Sequence, residues 1–105
     1  MASERTFIYV VHPVRPGFHE NMTSHEEKVI GEHFEYLKAL LHVGKIVLAG
    51  PCLDGAFGIV LLRVASPEEA HELMGADPAV ANGVFTADLH EFHVAMTDSA
   101  ASRPA

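Results

Sequence analysis

Only one of the 105 residues is cysteine, Cys52, so no disulfide can close within the chain. A lone thiol fits a reducing, cytoplasmic setting. Cations are also scarce: seven Lys and Arg stand against fourteen Asp and Glu, for a formal net charge of −7. They are scattered from Arg5 to Arg103. Phosphate contacts need clustered cations, so this balance argues against a nucleic-acid partner. No apolar run approaches the ~20 residues of a membrane helix, so no membrane partner is expected. The opening Met-Ala-Ser-Glu-Arg-Thr lacks the basic-then-apolar pattern of a signal peptide. Despite eight histidines, paired cysteines and a His-Glu-x-x-His motif are missing, so no metal is expected. His90 and His93 are three apart on a predicted strand and point to opposite faces. No Gly-rich phosphate loop appears, and no cofactor is expected.

What is present is apolar material in regular patterns. Hydrophobic residues make up 49% of the chain, a high share for so small a domain, and leave apolar surface to be covered by a partner. Thr6 to His12 is rich in β-branched and aromatic residues and predicts a first strand. Residues 13–24, broken by Pro13, Pro16 and Gly17, form a loop longer than usual. Ser24-His25-Glu26-Glu27 has the form of a capping box, opening a helix that runs to about His42. Its apolar stripe is Ile30, Phe34, Leu37 and Leu41, and His33 falls within that stripe beside Leu37 and Leu40. Lys45–Gly50 and Phe57–Val64 predict two strands of a hairpin around the Asp54-Gly55 turn. Ser66-Pro67-Glu68-Glu69 opens a short second helix with Ala70, Leu73 and Met74 inward. Asp77-Pro78 starts a further helical turn that Gly83 ends, and Val84 to Met96 predicts the last strand. Residues 1–97 then form a single domain, and 98–105 are a small-residue tail expected to fray.

The order β-α-β-β-α-β is the α+β, ferredoxin-like arrangement with an antiparallel sheet. Helices cover one face of such a sheet. The third strand is apolar at Phe57, Ile59 and Leu61 and also at Val60, Leu62 and Val64, so its second face needs another cover. The sheet of a second copy is the simplest cover, which predicts a homodimer joined through sheet faces.

His33 and Asp77 are the best candidates for a chemical centre. A carboxylate held against an imidazole fixes its tautomer and stabilises its charged form. Each residue also has a plainer use. A histidine on an apolar face is often a satisfied core residue. Aspartate before proline is a good N-cap, and capping alone would account for Asp77. One oxygen can cap while the other accepts from an imidazole. Cys52, ending an apolar strand, is most simply a packing residue.

Four stretches, in this order and spacing, resemble the YCII-related family of the dimeric α+β barrel group. They are Tyr9-Val10-Val11, His33-Phe34-Glu35-Tyr36-Leu37, Leu48-Ala49-Gly50-Pro51 after Gly44-Lys45, and Ala76-Asp77-Pro78 leading to Ala81-Asn82-Gly83-Val84. Together they span residues 6–95. Many relatives carry Arg-Pro shortly before the histidine, where this chain has Ile30-Gly31. The resemblance implies a His-Asp site, carried here by His33 and Asp77. It also implies isomerase, lyase or dehydrohalogenase-like chemistry on a small cyclic or aromatic organic substrate. In that expectation His33 moves a proton at the wall of a cleft between sheet and helices, while Asp77 orients it. Tyr9, His12 and Tyr36 are candidate substrate contacts; strand packing, a strand end and a helix surface are their structural alternatives. A non-catalytic small-molecule-binding or accessory module of the same fold is the alternative function, and a haem-using or cofactor-free oxygenase a third.

Overall fold

The computed structural model describes residues 4–98. Four strands, β1 (Arg5–Pro13), β2 (Ile46–Pro51), β3 (Gly58–Val64) and β4 (Phe85–Glu91), form one antiparallel sheet in the order β2-β3-β1-β4. Helix α1 (Ser24–His42) links β1 to β2, and α2 (Pro67–Ala76) with the single turn α3 (Pro78–Ala81) links β3 to β4. The split β-α-β-β-α-β arrangement is therefore present, with an extra helical turn where Asp77-Pro78 predicted one. Most of the predicted tail lies outside the described residues.

Alternation sorts the sheet residues onto two faces. Phe7, Tyr9 and Val11 of β1 and Val60, Leu62 and Val64 of β3 are buried under the helices, with Leu37, Leu40, Ala70 and Met74. The opposite parity leaves Ile8, Val10 and Ile59 only half-buried on the bare face, beside Leu61. On β4 that parity is polar, with Thr86, Asp88 and His90 exposed.

Three local expectations shift. The capping box is Thr23 with Glu26: Glu26 N–H donates to Thr23 Oγ1, and Thr23 N–H donates to Glu26 Oε1. Both registers satisfy the same pattern. Arg15 decides between them, because its guanidinium grips both oxygens of Glu26, at 2.9 and 2.6 Å. The buried face of α1 is Val29, His33, Leu37 and Leu40, whereas Phe34 and Leu41 are 47% and 57% exposed. The predicted stripe thus straddles the core face and its open flank. The last strand ends at Glu91 rather than Met96: Glu91, opposite Phe7, is its last residue in register with β1, and Phe92 N–H makes one further bond to Thr6 O.

Candidate functional site

Asp77 ends α2 and caps α3, so its backbone place is fixed by two helices at once. Its side chain is fully buried, and buried carboxylates require hydrogen bonds. Three donors from three elements supply them. Ala79 N–H donates to Oδ1 at 2.9 Å, the capping bond expected of Asp before Pro. The Tyr9 hydroxyl, from β1, donates to Oδ2 at 2.8 Å. His33 Nδ1, from α1, lies 2.7 Å from Oδ1 and 2.9 Å from Oδ2. A carboxylate only accepts, so Nδ1 carries a proton, and in the neutral ring Nε2 is the nitrogen with the free lone pair. Capping and imidazole binding thus coexist on one carboxylate.

His33 is 6% exposed and makes T-shaped contacts with Phe34 and Phe85, whose ring centroids are 5.4 and 5.6 Å away. Nε2 makes no hydrogen bond among the described residues. Among the described residues no fully buried side-chain nitrogen or oxygen lacks a partner, so the exposed sliver of His33 includes Nε2. It opens on a groove of about 740 Å³ between α1 and the β2 side of the sheet. The walls include Ile30, Phe34, Leu37 and Leu41 of α1, with Ile46 and Leu48 of β2. A bulge between Ile46 and Leu48 shifts the β2 register there, leaving Leu48 43% exposed. Phe18, from the long loop, joins the lining; it is buried and packs edge-on against Phe85 at 5.6 Å. Arg15 pins this loop, reaching Glu26 and Asn21 O. His19, Lys38 and Arg63 add polar groups to the lining.

Of the five expected site residues, the fold gathers three, His33, Asp77 and Tyr9. Tyr9 lies behind Asp77, away from the groove lining, with its hydroxyl committed to the carboxylate. Burial first, then the Asp77 charge, raises its pKa well above the usual phenol value. Tyr36 donates to Leu73 O at 2.7 Å and ties α1 to α2. His12 sits half-buried near the end of β1, tilted against Phe57 with ring centroids 6.1 Å apart. Neither His12 nor Tyr36 lines the groove. Sequence reasoning missed Phe18 and Phe85, the rings that frame the site. The inward alternation Phe85, Ala87, Leu89 carried the signal for Phe85; nothing local singled out Phe18. No group of three or more His, Cys, Asp or Glu among the described residues is placed to hold a metal ion.

The groove and the His-Asp pair can be set beside known proteins. No curated protein matches the chain. Among solved structures, it is similar to the 5-chloro-2-hydroxyhydroquinone dehydrochlorinase of Burkholderia phenoliruptrix AC1100 in complex with 2,5-dihydroxybenzoquinone. That likeness has a TM-score of 0.63 and 21% identity, covering 83% of this chain and 93% of that one. It shows the fold alone. The YCII-related domain matches residues 8–92, which include most of β1, both long helices and the whole His33–Asp77–Tyr9 cluster. The chain belongs to the YCII-related family.

Proposed function

We propose that this protein is a small enzyme that uses His33 as an acid/base on a small cyclic or aromatic substrate, working without a cofactor. One observation carries the reading: Nδ1 of His33 is locked on a buried carboxylate, while Nε2 is the free nitrogen at the wall of a largely apolar groove. In that state Nε2 takes a proton from a bound ring compound. The imidazolium that forms lies against the Asp77 charge, which offsets its cost in a dry site. Flat phenylalanine rings beside it suit a planar substrate. In an elimination the electron pair released by the lost proton moves through the ring, and halide leaves with the pair of its own bond. Isomerisation returns the proton to another carbon. The dehydrochlorinase with the same fold makes chlorinated hydroxyhydroquinones the first compounds to try.

The bare sheet face, apolar at Ile8, Val10, Ile59 and Leu61, supports a homodimer through sheet faces within a single domain of residues 1–97. No described helix is long and apolar enough to cross a membrane, and the free Cys52 is in keeping with the cytoplasm.

The test is chloride release from 5-chloro-2-hydroxyhydroquinone by purified protein, with His33→Ala as control. Turnover that His33→Ala abolishes while the fold survives supports the reading. Saturable binding of chlorinated and chlorine-free quinols with no turnover of either favours the binding-module alternative.

A further inference from the structure

Tyr9 is fully buried on the central strand β1, where a phenylalanine would fill the same space. Its hydroxyl makes one hydrogen bond, to Asp77 Oδ2. We propose that Tyr9 is a positioning residue whose hydroxyl fixes the Asp77 carboxylate, so that His33 presents a single tautomer to the groove. The proposal rests on the acid/base reading of His33 and assigns Tyr9 a role other than substrate contact.

An aspartate carboxylate turns easily about its terminal torsion. Two donors anchored in different elements stop that rotation: Ala79 N–H on Oδ1 and Tyr9 on Oδ2. His33 Nδ1 then sits astride both oxygens, 2.7 and 2.9 Å away. Without the Tyr9 hydroxyl, Oδ2 keeps only its imidazole contact and the carboxylate can swing about the Ala79 bond. The Nδ1–H bond loosens and the imidazole samples its second tautomer, with the proton on Nε2. A histidine in that tautomer cannot take a proton through Nε2. Burial and the Asp77 charge keep the phenol protonated, so the donor persists across the working pH range. The other tyrosine, Tyr36, bonds Leu73 O instead and is the natural control.

The experiment is ¹⁵N–¹H NMR of the His33 ring, which needs no substrate. Wild type and Tyr36→Phe are expected to show one tautomer, protonated at Nδ1. Tyr9→Phe is expected to show a mixture, with Nδ1–H exchange with water faster by about tenfold or more, as follows from losing a hydrogen bond to a charged group. A second measurement does not depend on Tyr9→Phe folding: 3-fluorotyrosine, a stronger donor of nearly the same volume, is incorporated in the Tyr36→Phe background. It should move the His33 ring signals. Unaltered tautomer and exchange in Tyr9→Phe, or unmoved His33 signals in the fluorinated protein, would overturn the proposal. Failure of every substrate while these spectral changes appear would count against the acid/base reading alone. Once a substrate is found, Tyr9→Phe should lower kcat and leave KM nearly unchanged.

Discussion

Replacing Asp77 by asparagine separates its two duties. The asparagine carbonyl, placed at the Oδ1 position, keeps the bond from Ala79 N–H, and Asn caps about as well as Asp. The amide nitrogen then stands at the Oδ2 position, 2.8 Å from the Tyr9 oxygen, which can accept as well as donate. Little of the cap is lost, while the charge-assisted bonds become neutral ones. That costs about 1–2 kcal/mol, or roughly 5–15 °C in Tm for a domain of this size. The consequence at His33 is larger. Nδ1 then faces the carbonyl at 2.7 Å and an amide N–H at 2.9 Å, so the tautomer with its proton on Nε2 competes with the productive one. Part of the base is then protonated where it should accept, and its charged form has lost its counter-charge. Turnover should fall by about 10²–10⁴-fold. Tm by calorimetry and chloride release are to be measured on the same preparation. Undiminished turnover in Asp77→Asn would show that Asp77 is a cap and nothing more, leaving His33 without its partner.

The remaining predictions address the dimer, acid stability and the long loop. Wild-type protein should sediment as a dimer burying at least roughly 2,000 Å², and Val10→Arg, which puts a charge in the middle of the bare face, should sediment as a monomer. The Arg15 hydrogen bond, then the Thr23 backbone bond, hold the Glu26 pKa down to about 2 from 4.5. Because the folded value is the lower one, this contribution is present above pH 4.5 and is lost as pH falls toward 2. Glu26→Gln should therefore flatten that part of the Tm-against-pH curve, and a variant curve parallel to wild type would contradict the pairing. At Gly55, φ is +78° and an added Cβ would stand 2.6 Å from the Cβ and Cγ of His19. Gly55→Ala should cost about 1–3 kcal/mol by urea unfolding, and His19→Gly should recover part of it by removing the clash.

The order of elements, the caps near residues 23 and 66 and the helix start at Asp77-Pro78 follow from local chemistry. A hydroxyl or carboxylate before a helix satisfies its own nearby N–H groups, and alternation along a strand is set by the pleat. Those signals lie within a few residues of what they specify, so the ferredoxin-like order was legible before any contact was known, and His33 and Asp77 stood out as candidates. Even there, local patterns were degenerate. Thr23 and Ser24 both fit the capping box, and only Arg15, 11 residues before Glu26, chose between them. The α1 stripe likewise told a helix from a strand, but not which flank meets the core and which meets the groove.

Tertiary structure decided the rest, because it depends on contacts between distant residues. Asp77 meets His33 across 44 positions and Tyr9 across 68. No period or motif records that a tyrosine on the central strand stands behind the carboxylate rather than in the groove. Nor does one record that Phe18 packs against Phe85 in the groove lining. Whether a buried carboxylate is a cap, a counter-charge or both depends on which donors the packing brings to its two oxygens. Here strand and helices from both halves of the chain converge on one side chain.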